Sequence, residues 1–341
     1  MIDQPRRRNQ AQSPPAALRA LRFAVVLILI GAALLGTLAL VLLRDPLPHM
    51  AKRRSSLAVT RTLDVTASDG MIATHVELTA ESGLSFDLLV RAPEDTPTSP
   101  PESALPPDEV GRRPLFLILG GYRTGEQAAL LVDDPQGAIV AAVGYPYHGP
   151  MDVSGLDVIA HLPAIRRAIL DTPPAIQLAL DHLLARPDVD PGRVELVGVS
   201  LGAFVMPAAA ALDPRVTRLW LVHGAGQPGA VLAHGLRRYV EYDLPREIVA
   251  AAANLVFAGP HLAPERWLPE VHPRPVVVIN ASDEERLPPE AVASLYQSAR
   301  EPKEQIWLSG AHVHPQRPDL VLAIMDVVLA HAAERPAARE P

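Results

Sequence analysis

Gly198-Val-Ser-Leu-Gly202 fits the pattern G-x-S-x-G, with an apolar run ending at Val199 directly before it. Ala203-Phe-Val-Met206 and then Ala208–Ala211 follow it. A sharp strand-to-helix turn in this setting lifts the central hydroxyl above the sheet edge in a strained conformation. The flanking glycines leave room where side chains would clash. The plain alternative is a packing turn built from small residues. A serine hydroxyl reacts only beside a base, and the base needs an orienting carboxylate. Two later segments carry such groups: Asn280-Ala-Ser-Asp-Glu-Glu-Arg-Leu-Pro288 and Ser309-Gly-Ala-His-Val-His314. The H-x-H pair could instead ligate a metal, but no third histidine or carboxylate motif supports it, so no metal is expected. Gly120-Gly-Tyr-Arg-Thr-Gly125 lacks both the G-K-[ST] ending and the G-x-G-x-x-G spacing of phosphate-binding loops.

The elements that must hold these groups read as alternating strands and helices. Short apolar runs at 115–119, 138–143, 194–199, 219–222, 276–279 and 305–308 suit strands buried on both faces of a parallel sheet. Helical spacing lies between them, at 175–184, 288–299 and 320–331. The pattern implies an α/β three-layer sandwich with a mostly parallel sheet. Residues 72–79 and 84–90 read as two further strands joined by a turn, and the seven prolines of 93–114 mark a loop. Residues 224–273 interrupt the alternation and are long enough for a small helical cap, with Tyr239, Tyr242 and Trp267 as candidate cap core.

Over roughly residues 114–332 the chain resembles the α/β-hydrolase fold, and in detail the dienelactone-hydrolase and acyl-CoA-thioesterase-like branch. The segment Pro187-Asp-Val-Asp-Pro-Gly-Arg-Val-Glu-Leu-Val-Gly-Val-Ser-Leu-Gly202 carries the closest likeness. By this resemblance Ser200 is the nucleophile. Pro207, in the second turn after it, departs from the pattern, since it removes a helical hydrogen bond. In this fold the acid follows the serine and precedes the histidine. Counting from the strand end selects Asp283, and counting back from Pro288 selects Glu284; Asp283 is the favoured reading. The family's G-x-H loop selects His312, with His314 as runner-up. One oxyanion donor is the N–H of Leu201, directly after the serine. The resemblance puts the second at Tyr122, with Gly121 as the alternative. The tyrosines of Gly144-Tyr-Pro-Tyr-His-Gly149 either line a cleft or simply pack.

Phe23 to Leu43 is a 21-residue run without charge, flanked by Arg19, Arg22 and Arg44. As a helix it spans roughly 30 Å, the thickness of a bilayer's hydrocarbon. It exceeds the usual apolar core of a signal peptide and lacks a clear cleavage site, so a retained single-pass anchor is expected. The basic residues on either side nearly balance; a short basic tail ahead of a first span favours a cytoplasmic N-terminus, with the remaining domain outside the cytoplasm. The expected layout is a tail (1–22), the span (23–43), a linker (44–56), the α/β domain (57–334, cap about 224–273) and a C-terminal tail (335–341).

Composition trims the functional range. The chain has no cysteine, which removes disulfides, thiolate nucleophiles and iron–sulfur ligands. Residues 1–54 hold nine basic and two acidic residues, leaving 22 basic against 36 acidic in the remainder. An acidic body repels phosphate backbones, so nucleic acid is not an expected partner. The expectation is therefore a membrane-anchored serine hydrolase for a carboxylic ester or thioester, needing no cofactor. Two alternatives stand beside it: a hydrolase-like binding or scaffold module, and a serine peptidase of the same fold.

Overall fold

The computed structural model describes residues 36–94, 111–150 and 157–333, together with 25, 29–31, 33, 108 and 152. Two compact units divide after Arg44. In the first, Leu29–Leu42 is helical. The expected span 23–43 lies partly outside the described residues, as do the whole of the tails 1–22 and 335–341 and most of the proline-rich loop. No single described helix is long and apolar enough to cross a membrane.

The second unit, from Asp45 onward, opens with a helix where a linker was expected: α1 (Leu47–Arg53). Its anchor is electrostatic. Arg53 Nε lies 3.0 Å and His49 Nε2 2.7 Å from the carboxylate of Asp171. Asp171 is buried, at 2% exposure. Arg54 reaches Asp181 at 2.7 Å, and Met50 is buried beneath. A buried carboxylate without a cation costs several kcal/mol, so these pairs fix α1 on the domain.

A nine-stranded sheet forms the centre. Its strands are β1 (Leu57–Ser68), β2 (Met71–Ala80), β3 (Ser85–Pro93), β4 (Arg113–Leu119), β5 (Ile139–Val143), β6 (Val189–Val199), β7 (Arg218–Val222), β8 (Val276–Ala281) and β9 (Lys303–Leu308). Their order is β1-β2-β3-β5-β4-β6-β7-β8-β9. The first three strands and the β3–β5 pair are antiparallel, and every pairing from β5 to β9 is parallel. All six apolar runs of the sequence are strands. Strand β1 was not expected. It is Val/Thr-rich and alternating, but almost wholly exposed, and it is held by its ladder with β2 rather than by burial.

Two helical layers cover the sheet. The helices are α2 (Asp157–Leu184), α3 (Gly202–Leu212), α4 (Pro228–Leu236), α5 (Asp243–Val256), α6 (Gly259–Leu262), α7 (Pro264–Val271), α8 (Pro289–Ser298) and α9 (Pro318–Ala333). The two-residue period of β4 divides its side chains. Leu115, Leu117 and Leu119 pack with α2, α3 and α7, whereas Phe116 and Ile118 pack with α9 and the 3-10 turn Gly125–Leu131. Helix α3 runs through Pro207 without a break. Within residues 224–273, α7 belongs to the sandwich layer, packed on α3 through buried Trp267, Leu268 and Val271. Helices α4 and α5 pack on each other. Trp267 is thus core, but Tyr239 and Tyr242 are 71% and 73% exposed and are not cap core. Both lie in the short loop between α4 and α5, where the Arg238 guanidinium stacks over the Tyr239 ring.

Candidate active site

The C-terminal ends of the parallel strands gather the chemistry, as the topology of an open α/β sheet requires. Ser200 follows β6, and the segment carrying Glu284 follows β8. The loop of His312 follows β9, and Gly120-Gly-Tyr122 follows β4. Hydrogen bonds between strands continue past the sheet rim and set the loops in register. Ser200 N–H donates to Val222 O, Ser282 N–H to Leu308 O, and Asp283 N–H to Gly310 O.

Ser200 has φ +54°, a left-handed conformation that a serine adopts only under constraint. Tight packing on both sides imposes it. A Cβ on Gly202 would stand 1.9 Å from the carbonyl oxygen of Leu119, and one on Gly198 would stand 2.8 Å from that of Gly202. The start of α3 therefore lies directly on the end of β4. The Ser200 hydroxyl sits 2.9 Å from His312 Nε2. His312 is buried, and its Nδ1 lies 2.8 Å and 3.0 Å from the two carboxylate oxygens of Glu284. With Nδ1–H donating to Glu284, Nε2 is left to accept the serine proton.

The carboxylate that meets the histidine is Glu284. Asp283, the favoured reading of the sequence, is exposed, and only its backbone N–H is tied inward, to Gly310. That bond leaves the next side chain to turn toward the histidine, and the extra methylene of glutamate completes the reach. Burial alone would raise the carboxyl pKa of Glu284, but the hydrogen bond and positive charge of His312 and the Arg286 N–H hold it below the usual range. Glu285 accepts the backbone N–H of His312 at 3.0 Å. His314 is not part of this line; its Nδ1 accepts the Gln316 N–H.

Leu201 directly follows the serine, and Gly120, just before the Gly121–Tyr122 turn, lies close to Gly202. Among the described residues no backbone carbonyl accepts the N–H of Leu201, Gly121 or Tyr122, so all three remain as donors. The Tyr122 side chain is half exposed and lies against Arg123. Tyr145 braces this turn: its hydroxyl donates to Gly120 O at 2.8 Å, and burial pushes its pKa up. Of the two readings of that loop, packing describes Tyr145.

One residue at the same rim was not singled out in the sequence. His223 directly follows β7, with 2% exposure, and its ring centroid is 5.4 Å from that of His312. Its signal was available, as a histidine directly after the apolar run 219–222. One donor atom each from His223, Glu284 and His312 lie within 4.8 Å of one another, a spacing a small cation could bridge. The Glu284–His312 contact is a direct hydrogen bond, so a cation there would displace the proton on Nδ1.

No protein-family model and no curated protein matches the sequence. Solved structures do match in shape. One is an acetyl xylan esterase from Paenibacillus sp. R4, with TM-score 0.56 and 16% identity, covering 81% of this chain and 90% of that one. Another is acetyl xylan esterase 1 from Thermoanaerobacterium sp. JW/SL YS485, with TM-score 0.55 and 16% identity, covering 84% and 94%. A third is a 2,6-dihydroxy-pseudo-oxynicotine hydrolase, with TM-score 0.52 and 17% identity, covering 78% and 68%. At such identities the likeness is one of architecture. Joined with the sheet order and the strained turn at Ser200, it makes the α/β-hydrolase fold the fold of this chain.

Proposed function

We propose that the protein is a serine hydrolase that cleaves a carboxylic ester or thioester. One observation carries this reading: the unbroken line from Glu284 through His312 to the hydroxyl of a backbone-strained Ser200. In the proposed reaction Ser200 Oγ attacks the acyl carbon while its proton passes to His312 Nε2. Glu284 stabilises the imidazolium that forms. The N–H of Leu201 and that of Tyr122 or Gly121 hold the oxyanion. His312 then protonates the leaving alcohol or thiol, and a water activated by the same ring releases the acid.

The similar structures named as esterases make short acyl esters the first substrates to test. The segment 187–202 favours the dienelactone-hydrolase and thioesterase-like branch within the fold. Phe23–Leu43 is proposed as a single-pass anchor with the N-terminus in the cytoplasm. Retention in the membrane pellet after alkaline extraction tests the anchor, and release into the supernatant would reject it. For the chemistry, a fluorophosphonate probe should label the wild-type chain and leave Ser200→Ala unlabelled. A folded wild type that takes no label and hydrolyses no member of a graded p-nitrophenyl and thioester series would sink the proposal.

A further inference from the structure

His223 takes no part in the line from Glu284 to Ser200, yet it is built into the same rim. Its backbone N–H donates to Ile279 O, fixing it to β8, and its φ of +48° is left-handed. Its Nδ1 accepts the N–H of Val313 at 2.7 Å. Val313 is the residue after His312, so this bond grips the loop that carries the base. Three of the ties at its tip are Val313 N–H to His223, His312 N–H to Glu285, and His312 Nδ1 to Glu284. Of these three, the first comes from the end of β7, and the other two come from the segment after β8.

We propose that His223 is a positioning residue of the active site, whose Nδ1 pins the His312 loop so that Nε2 of His312 stays on the Ser200 hydroxyl. Because Nδ1 accepts an amide N–H, the ring proton resides on Nε2, which is buried and bonded to no atom among the described residues. Protonating Nδ1 would break the tie to Val313. It would also place a second cation against the ring of His312, which gains a proton during acyl transfer. The groups facing His223 are His312 from the β9 loop and Glu284 and Glu285 from the β8 loop. Burial and the charge of His312 lower its pKa to about 4, and the two carboxylates oppose this only in part. The ring is thus neutral at neutral pH.

The test uses the full chain in detergent and two substitutions. His223→Ala removes the acceptor. His223→Asn keeps an oxygen near the position of Nδ1, and asparagine tolerates the left-handed backbone. With p-nitrophenyl acetate, His223→Ala should lower kcat about 10–100-fold, the scale of a base displaced by about 1 Å, with KM within about threefold. His223→Asn should recover kcat to within about fivefold of wild type. A folded His223→Ala with kcat within threefold of wild type, or an Asn variant as impaired as Ala, overturns the proposal. This kinetic arm rests on the hydrolase reading. A second arm does not: 15N-histidine NMR on the Ser200→Ala chain should find His223 as the neutral Nε2–H tautomer from pH 8 to about pH 5. A proton on Nδ1, or an imidazolium at neutral pH, overturns the proposal even where Ala fails to fold. A wild type without turnover but with that tautomer would reject the hydrolase reading and leave the positioning role standing.

Discussion

Glu284 and Asp283 are neighbours with the same charge, and one backbone hydrogen bond separates their roles. The Asp283 N–H is committed to Gly310, so its side chain faces solvent, while Glu284 turns onto His312 Nδ1. Replacing a triad carboxylate by its amide lets the histidine adopt the wrong tautomer, at a cost of roughly 10⁴-fold in kcat. Glu284→Gln should therefore lose about 10³–10⁴-fold in kcat, whereas Asp283→Asn should stay within a few-fold of wild type. Steady-state kinetics on one ester decides between them, and equal losses in both variants would refute the assignment.

Elements act here by how closely they approach. Helix α3 begins against β4 so tightly that Gly202 has no room for a methyl group. The obstructing atom is backbone, so no rotamer change relieves it. Gly202→Ala should cost about 1–3 kcal/mol in urea denaturation and weaken fluorophosphonate labelling, because α3 and the serine move together. Helix α1 is held by charge instead. Arg53→Ala leaves Asp171 buried with His49 as its remaining partner. Removing one member of a buried pair typically costs 3–5 kcal/mol. With one partner kept, a loss of about 1–3 kcal/mol is expected, read as a lower urea midpoint with labelling of Ser200 retained. An unchanged midpoint would mean that α1 is not clamped.

For the whole molecule, a neutral buried histidine makes stability depend on acid. His223 has a pKa of about 4 in the fold against 6.5 ordinarily. Between those values the unfolded chain binds a proton that the folded chain does not, so stability falls as pH drops from 6.5 toward 4. One pKa unit is about 1.4 kcal/mol, so the full effect is on the order of 3 kcal/mol. Other groups also titrate in acid, so the informative quantity is a difference. The loss of Tm on going from pH 7 to pH 4.5 should be smaller in His223→Asn than in wild type. Parallel curves for the two proteins would contradict a buried neutral His223.

Fold class was legible in the chain because a parallel sheet buries both faces of its strands, and each of the six apolar runs says so locally. Ser200 was legible for a related reason: its two glycines answer contacts that any strand-to-helix elbow makes. Strand β1 and helix α1 were not, since one is held by a partner strand and the other by acids on α2, over 110 residues away in sequence. The carboxylate that faces His312, and His223 itself, belong with these. Which of two adjacent carboxylates meets a ring, and which histidine grips the loop beyond it, follows from hydrogen bonds between strands distant in sequence. Spacing along one chain does not encode such bonds; only the packed sheet rim decides them.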